Sequence, residues 1–320
     1  MAFEKIKFGK SDLNIVPLIF GGNVFGWTLD EQSSFNILDE FVDKGFNAID
    51  TSNNYSHWAE GNKGGESETI IGRWLESRGN RDKVMIMTKV GGRFGYDSKP
   101  NTQGAYIKEQ IEHSLRRLKT DYIDLYQTHY DDEVTMVEET LRAYEDLIKE
   151  GKVRYIGASN ISPERLVESL DVAAEKGLPS YISLQPEYNL YDRAKFENLY
   201  QKIAVERKLA VIPYYSLASG FLSGKYKSES DFSQSVRGEG IYKKYWNERG
   251  KDIVRVLVNI ASARQVSPSA VALAWLLAQQ AVTAPIASAT KSSHIQAFVE
   301  ALTLKLSEEE LSKLNNASKY

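Results

Sequence analysis

The sequence predicts an α/β fold: a closed (β/α)8 barrel with an N-terminal β-hairpin and long loops at the C-terminal face. Eight apolar segments have the length of strands, and amphipathic helices alternate with them along the 320 residues. The strands are nearly continuous apolar runs, which is typical of a parallel sheet covered by helices. Eight such repeats favour a closed barrel over an open doubly wound sheet, but periodicity alone does not show closure.

The first predicted element is a hairpin over residues 3–16, where two alternating runs flank Gly9-Lys10-Ser11-Asp12. The eight predicted strands follow at 16–20, 47–51, 84–89, 123–128, 155–159, 182–185, 210–214 and 282–286. Helices with apolar residues at helical spacing are predicted near 32–44, 67–78, 104–118, 134–150, 163–176, 194–207, 250–264 and 268–280. Several helices end at a glycine, such as Gly45 or Gly151, and Ser162-Pro163 is a typical helix start.

Two predicted loops are longer than a simple connection requires. Residues 90–103 follow the third strand and residues 223–249 follow the seventh, so both rise from the C-terminal face, where active sites of this fold are built. The second loop is rich in Gly, Ser and aromatic residues and is interpreted as a mobile lid, the alternative being a disordered insert. No linker interrupts the chain, so residues 1–320 are predicted to form one domain.

The composition excludes several classes of function. A net charge of -3 gives no electrostatic reason to expect nucleic acid or an anionic membrane as a partner. The chain has no cysteine, which excludes disulfides, thiolate metal sites and a cysteine nucleophile. The N-terminus lacks the apolar stretch of a signal peptide, and no run of about eighteen apolar residues occurs. We therefore expect a cytoplasmic protein that acts on a small molecule.

Four polar side chains lie at or beyond the ends of the predicted strands, at the same end of the barrel. They are Asp50 at the end of the second strand, Tyr55 in the loop beyond it, Lys89 at the end of the third strand and His129 after the fourth. Asp50 is expected to keep the Lys89 ammonium charged, and this ammonium is expected to lower the pKa of Tyr55 toward neutrality. Tyr55 would then donate a proton, while a neutral His129 offers an N–H to a substrate oxygen.

These four groups can protonate a carbonyl oxygen, but they supply no reductant. A hydride-carrying cofactor is the expected source because no metal-ligand cluster is visible. The four histidines, none at metal-site spacing, are His57, His113, His129 and His294. The alternative is structural: Lys89 could be a barrel lysine neutralised by Asp50, and His129 a hydrogen-bonded residue at a strand end. Convergence of all four groups on one mouth favours chemistry.

Several runs resemble the aldo-keto reductases. They are NAIDTSNNYS (47–56), MIMTKV (85–90), YIDLYQTH (122–129) and RYIGASN (154–160), and the resemblance extends from LIFGGNVFG (18–26) through YSLASGFLSGKY (215–226) to PIASATKSSHIQAF (285–298). The branch most similar includes bacterial oxidoreductases and potassium-channel β subunits. The resemblance implies an NADPH-dependent (β/α)8-barrel enzyme that reduces an aldehyde or ketone to an alcohol. It also implies a catalytic tetrad of Asp50, Tyr55, Lys89 and His129, with Tyr55 as the general acid.

The same resemblance implies a cofactor site. Ser159, Asn160 and Gln185 would hold the nicotinamide carboxamide, and Tyr214 would stack on its ring. The residues implied for the pyrophosphate and the adenosine 2′-phosphate are Leu217, Ser219, Gly220, Leu222, Lys225, Ser288, Thr290, Lys291, Ser292 and His294. Small residues suit close approach of the backbone to phosphate.

The chain departs from the family pattern at several positions of this site. Tyr215 and Ser216 replace the Ser-Pro that commonly follows the stacking aromatic residue. An Arg commonly found near Thr290 and a Glu-Asn pair near Ala297-Phe298 are both missing. A preference for NADPH therefore rests on Lys291 and His294, and NADH remains possible.

Aromatic residues in the loops after the strands are expected to wall the substrate pocket, namely Phe25, Trp58 and Tyr130, with Tyr242 or Trp246 from the second long loop. Such a pocket favours an aldehyde or ketone with a flat or hydrophobic portion. Two other functions compete with carbonyl reduction. One is an NADP(H)-sensing regulatory or channel-associated subunit with slow turnover, and the other is a Schiff-base aldolase that uses Lys89.

Overall fold

A two-stranded hairpin precedes eight parallel strands in the computed structural model, which describes residues 3–95 and 98–320. Residues 96–97 of the predicted loop 90–103 lie outside the described residues. The strands are β1 (Ile6–Lys7), β2 (Asn14–Ile15), β3 (Ile19–Gly21), β4 (Ala48–Asp50), β5 (Met85–Val90), β6 (Ile123–Thr128), β7 (Val153–Ser159), β8 (Ser183–Gln185), β9 (Ala210–Val211) and β10 (Ile286–Ala287).

The eight parallel strands form a closed barrel. From β3 to β9 each strand pairs with the next in sequence, and β10 pairs with β3. The remaining edges are joined because Thr283 and Ala284 donate their N–H groups to the carbonyl oxygen of Val211, and Ile286 donates to Pro213. The predicted (β/α)8 barrel is therefore confirmed, and the open doubly wound sheet is excluded.

Several strands are shorter than predicted because of proline. Pro17, Pro213 and Pro285 lie inside or beside the predicted strands 16–20, 210–214 and 282–286, and each lacks the N–H that a sheet ladder needs. Regular pairing accordingly starts at Ile19 in β3, ends at Val211 in β9 and is confined to Ile286–Ala287 in β10.

Twelve α-helices accompany the strands in the described part of the chain. They are α1 (Glu31–Asp43), α2 (Glu66–Arg78), α3 (Gly104–Leu118), α4 (Val137–Lys149), α5 (Pro163–Lys176), α6 (Ala194–Leu199), α7 (Gln201–Arg207), α8 (Gly238–Tyr245), α9 (Glu248–Arg264), α10 (Pro268–Leu277), α11 (Ser292–Thr303) and α12 (Glu308–Ala317). The predicted helix 194–207 breaks at Tyr200. The side-chain hydroxyl of Tyr200 points inward and donates to the carbonyl oxygen of Ile161. Helix α8 lies inside the predicted loop 223–249, and neither α11 nor α12 is among the eight predicted helices.

The hairpin closes the N-terminal end of the barrel. Its side chains Phe8, Leu13 and Ile15 are buried, and they form one apolar cluster with inward-facing barrel residues. These barrel residues are Ile19, Ala48, Met85, Met87, Leu125, Ile182, Ala210, Ile212, Ala284 and Ile286. Because this end is filled with apolar side chains, the opposite, C-terminal end is the only route by which the barrel interior of the described chain meets solvent. None of the described helices is long and apolar enough to cross a membrane.

Helices α2 and α3 pack closely at Gly72. A Cβ atom at this position would lie 2.0 Å from the carbonyl oxygen of Arg117 and 2.7 Å from the backbone of Leu118. Neither neighbour is a flexible side chain that could turn away. The contact therefore requires glycine, although glycine in a helix interior is intrinsically unfavourable.

We expect Gly72→Ala to lower the free energy of unfolding by about 3 kcal/mol or more, because the helices must separate. Gly240→Ala is the matched control, since a Cβ there, also inside a helix, meets nothing within 4 Å. It should raise the free energy of unfolding by up to about 1 kcal/mol. Chemical denaturation of both variants measures the two values, and equal effects would contradict the packing argument.

Candidate active site

The ends of the parallel strands bring the predicted catalytic residues together. Asp50 is the last residue of β4, Lys89 lies near the end of β5, and His129 follows β6 directly. The sheet register aligns Lys89 with Gln127 of β6, so the polar side chains lie at one level of the barrel. Tyr55 reaches the same point from the loop after β4.

Lys89 is fully buried and uses three hydrogen-bond acceptors. Its Nζ lies 2.6 Å from Oδ2 of Asp50, 2.8 Å from Oη of Tyr55 and 2.8 Å from the carbonyl oxygen of Thr51. An ammonium has three N–H groups, so each of them has one partner. Burial lowers the pKa of Lys89, and the carboxylate of Asp50 opposes this shift.

Asp50 receives hydrogen bonds on both carboxylate oxygens. Oδ2 contacts Lys89, and Oδ1 accepts from Nε2 of Gln127 at 3.1 Å and from Nε2 of Gln185 at 3.0 Å. The two glutamines are also joined to each other at 3.2 Å. Sequence reasoning missed Gln127, but a signal was present. It lies two residues before His129, so the period of a strand turns it to the same face.

Tyr55 is held as a protonated phenol. Burial, and after it the negative charge of Asp50, raises the pKa of Tyr55 well above its ordinary value. The expectation that the pKa of Tyr55 is lowered toward neutrality was therefore wrong, because burial and the carboxylate of Asp50 both disfavour the phenolate. The hydroxyl has only a long contact of 3.4 Å to Oδ2 of Asp50 for its own hydrogen. That hydrogen therefore remains available for a ligand.

His129 is a neutral imidazole at neutral pH. Its ring centroid is 6.0 Å from that of Tyr55, and both rings line the same cavity. Burial, assisted by the positive charge of Lys89, lowers the pKa of His129 well below its ordinary value.

A cavity of about 690 Å³ opens above these residues at the C-terminal end of the barrel. Most residues expected to bind cofactor or substrate line it, and they are Trp58, Tyr130, Ser159, Asn160, Gln185, Tyr214, Leu217, Ser219, Gly220, Lys225, Ser288, Thr290 and His294. Its wall continues to Ala297 and Phe298, which occupy the positions of the missing Glu-Asn pair. The residues that line the cavity extend from the tetrad to the start of α11.

Six expected residues do not line this cavity. Phe25 is fully buried and stacks on Phe20 with ring centroids 5.2 Å apart, so it belongs to the core and does not wall the pocket. Leu222 is likewise fully buried. Lys291 and Ser292 are exposed at the start of α11, beside the cavity. The aromatic residues Tyr242 and Trp246 also pack elsewhere, against Phe232.

The expected carboxamide-binding residues are joined to one another. Ser159 donates to the carbonyl oxygen of Gln185, and Asn160 donates to the carbonyl oxygen of His129. Tyr214 donates its hydroxyl to Oδ1 of Asn160 at 3.0 Å, which fixes its ring at the cavity wall. The amide nitrogen of Gln185 is used by Asp50, so its amide oxygen is the part free to accept from a ligand.

The segment after β9 folds into a tight turn. Tyr215, Ala218 and Ser219 have φ angles of 53°, 48° and 58°, and Gly220 has 98°. Left-handed backbone at three residues other than glycine is unfavourable, and such strain is common in ligand clamps. Nζ of Lys225 lies close to Gly220, at 3.6 Å from where a Cβ would be. Tyr215 also lines the cavity and is half exposed.

The predicted lid, residues 223–249, is ordered by aromatic packing. It contains a 3-10 turn, Glu229–Gln234, and α8, and Phe232 stacks on Tyr226 at 4.3 Å. Its residues 235–237 line the cavity. Arg237 lies over the ring of Trp27 at 4.5 Å, and burial lowers its pKa. Sequence reasoning missed Arg237, and an arginine in a polar loop carries no periodic signal that would have found it.

Comparison with known proteins gives a consistent result. A model of the aldo/keto reductase family matches residues 17–319. Aldo-keto reductase AMT2 of Alternaria alternata is 32% identical over 98% of this chain and 91% of its own length. The uncharacterized oxidoreductase YrpG of Bacillus subtilis is 33% identical over 98% and 95%. Norsolorinic acid reductase of Aspergillus flavus is 29% identical over 100% and 82%.

We expect Asp50→Asn to destabilise the protein by about 3–5 kcal/mol near neutral pH, because Lys89 loses its buried counter-charge. Without Asp50 the pKa of Lys89 in the folded state falls further below its ordinary value of 10.5. The unfolded chain then binds more protons than the folded one, so this loss should shrink as the pH rises toward about 10.

Denaturation of wild type and variant from about pH 7 to about pH 10 measures the difference. Glu31→Gln is the matched control, since its partner Arg73 is half exposed and such pairs contribute little. If the loss of unfolding free energy in Asp50→Asn does not change with pH, the charge of Lys89 is not the cause of that loss.

Proposed function

The chain belongs to the aldo/keto reductase family of oxidoreductases, and we propose that it reduces an aldehyde or ketone to an alcohol with NADPH. The observation that carries the proposal is the contact of Tyr55 with Lys89 at 2.8 Å, beneath a cavity of about 690 Å³. A phenol whose oxygen accepts from a buried ammonium, and whose hydrogen makes only a long contact of 3.4 Å, is suited to protonate a carbonyl oxygen.

The residues at the tetrad end of the cavity suit a nicotinamide. Gln185 has an unused amide oxygen that can accept from a carboxamide NH2, while Ser159 and Asn160 supply a hydroxyl and an amide beside it. Tyr214 offers a ring face at the wall, which suits stacking. When bound, the nicotinamide supplies a hydride to the carbonyl carbon.

The phosphate-binding part of the proposal rests on cations without acidic partners. Lys225 and Arg237 line the cavity, and neither forms an ion pair with a described carboxylate. At the start of α11, Lys291 and Lys225 both contribute to the lowered pKa of His294, after burial. This lysine pair and the N-terminus of a twelve-residue helix suit a 2′-phosphate, and they favour NADPH over NADH.

The protein's own groups account for the proton. Tyr55 donates its hydrogen to the carbonyl oxygen as negative charge develops there. Lys89, with one N–H on Oη of Tyr55, stabilises the phenolate that results, and Asp50 holds Lys89 in place. His129 remains neutral and hydrogen-bonds the substrate through Nε2. In the direction of alcohol oxidation the same phenolate takes the proton back.

The competing functions fit this geometry less well. A Schiff-base aldolase needs a neutral, accessible amine, whereas Lys89 is fully buried and all three of its N–H groups have partners. A purely regulatory subunit needs no proton donor, so the weakly bonded hydroxyl hydrogen of Tyr55 favours turnover. Trp58, Tyr130 and Tyr215 around the tetrad favour a substrate with a flat or apolar portion.

We expect Tyr55→Phe to bind NADPH as wild type does and to reduce carbonyl substrates about 10²- to 10⁴-fold more slowly, because the proton donor is lost. Stopped-flow absorbance of NADPH with an aromatic aldehyde measures the rate. Tyr155→Phe, which removes a hydroxyl bonded to Asp12 at the other end of the barrel, is the matched control. Turnover by Tyr55→Phe at the wild-type rate would refute the assignment.

We expect Lys291→Met to weaken NADPH binding by about tenfold or more and to leave NADH binding unchanged, because only NADPH carries the 2′-phosphate. Titration of each nucleotide against Trp and Tyr fluorescence measures both affinities. Lys305→Met removes an exposed lysine away from the cavity and should change neither. If wild type binds the two nucleotides equally, the proposed preference for NADPH is wrong.

A further inference from the structure

Gln127 is fully buried beside Asp50 and does not itself line the cavity. Its side chain projects from β6, where the sheet pairs it with Gly157 of β7. A Cβ atom at Gly157 would lie 3.2 Å from Cγ of Gln127 and 2.2 Å from Oγ of Ser183. Glycine inside a strand is typical of such a close approach. The side chain of Gln127 is therefore confined by packing as well as by its hydrogen bonds.

The contacts of Asp50 determine which way two glutamine amides face. A carboxylate oxygen can only accept, so the atoms of Gln127 and Gln185 that lie 3.1 Å and 3.0 Å from Oδ1 of Asp50 are the amide nitrogens. The amide oxygen of Gln127 is then left to face Gln185, and it lies 3.2 Å from the amide nitrogen of that residue. Both N–H groups of Gln185 therefore have a partner, one in Asp50 and the other in Gln127.

Two hydrogen bonds from one NH2 group hold an amide in a single orientation. The two N–H bonds of Gln185 diverge within the plane of the amide, so two acceptors together fix that plane. With Asp50 as its only acceptor, the amide would be free to rotate about the remaining hydrogen bond, and its oxygen would change direction. Gln185 lines the cavity, so the direction of its amide oxygen decides what that oxygen offers to a ligand.

We propose that Gln127 is a positioning residue for the cofactor. By accepting the second N–H of Gln185, it holds the amide oxygen of Gln185 toward the carboxamide NH2 of the nicotinamide, without touching the cofactor itself. Asp50 then anchors two branches of one network, with Lys89 on Oδ2 and the two glutamines on Oδ1. This role of Gln127 rests on the proposed binding of a nicotinamide nucleotide.

Binding of NADP⁺ and of its 3-acetylpyridine analogue tests this role, because the analogue carries a methyl group in place of the carboxamide NH2. In wild type we expect NADP⁺ to bind about tenfold more tightly than the analogue, which corresponds to one hydrogen bond. In Gln127→Met this ratio should fall toward one. Gln127→Glu keeps an oxygen that accepts from Gln185, so it should retain the preference. Titration of each nucleotide against Trp and Tyr fluorescence measures the affinities.

Gln279→Met is the matched control, since the amide of Gln279 donates to the carbonyl oxygen of Trp275 in α10, and its ratio should equal that of wild type. If Gln127→Met does not fold, Gln127→Asn replaces it, because the shorter side chain leaves space for water at the buried N–H, and the ratio should again fall. A purely structural role would weaken both nucleotides equally. An unchanged ratio in the folded variant, or a ratio near one in wild type, would therefore overturn the proposal. Failure of wild type to bind NADP⁺ at all would instead refute the proposed cofactor, and the role of Gln127 with it.

Discussion

The buried contact between Lys89 and Asp50 is the constraint on which the rest of the active site depends. Each charge alone would cost several kcal/mol to bury, so both are tolerated only at 2.6 Å from each other and with every remaining donor and acceptor satisfied. The groups that satisfy them are the phenol of Tyr55, the carbonyl oxygen of Thr51 and the amides of Gln127 and Gln185. Of these groups, Tyr55 and Gln185 also line the cavity. One hydrogen-bond network therefore both stabilises the buried charges and positions the phenol of Tyr55.

The barrel supplies this network by its register. Parallel strands end at the same side of the sheet, so residues far apart in sequence, such as Asp50 and Gln185, come within 3.0 Å. A shift of one residue in any strand would turn its polar side chain outward into the helix layer. The hairpin at the opposite end fills the barrel with Phe8, Leu13 and Ile15, which fixes the strands without contributing to the site. The active site and the hairpin that closes the barrel therefore lie at opposite ends of the barrel axis.

The sequence was sufficient for what depends on periodicity. Alternation of strands and helices predicted the barrel, and residues directly after strands were correctly expected at one mouth. The sequence was insufficient for properties that depend on which groups surround a side chain in the folded structure. The direction of the pKa shift of Tyr55 follows from its burial and from the negative charge of Asp50, and the spacing of residues in the sequence does not reveal either effect. Phe25 faces the core instead of the cavity because it stacks on Phe20, and Arg237 reaches the cavity because a loop folds back over Trp27.

The two ends of the cavity differ in electrostatics, and the difference has a consequence for stability. At the tetrad end the charges of Lys89 and Asp50 neutralise each other, so a ligand that binds there meets no uncompensated charge. At the other end Lys225 and Arg237 line the wall without a described acidic partner, and burial already lowers the pKa of Arg237. The proposed dinucleotide would supply the missing counter-charge, and it would bind only the folded chain. Its binding energy would therefore add to the folding stability of the chain, including the segment that carries Arg237.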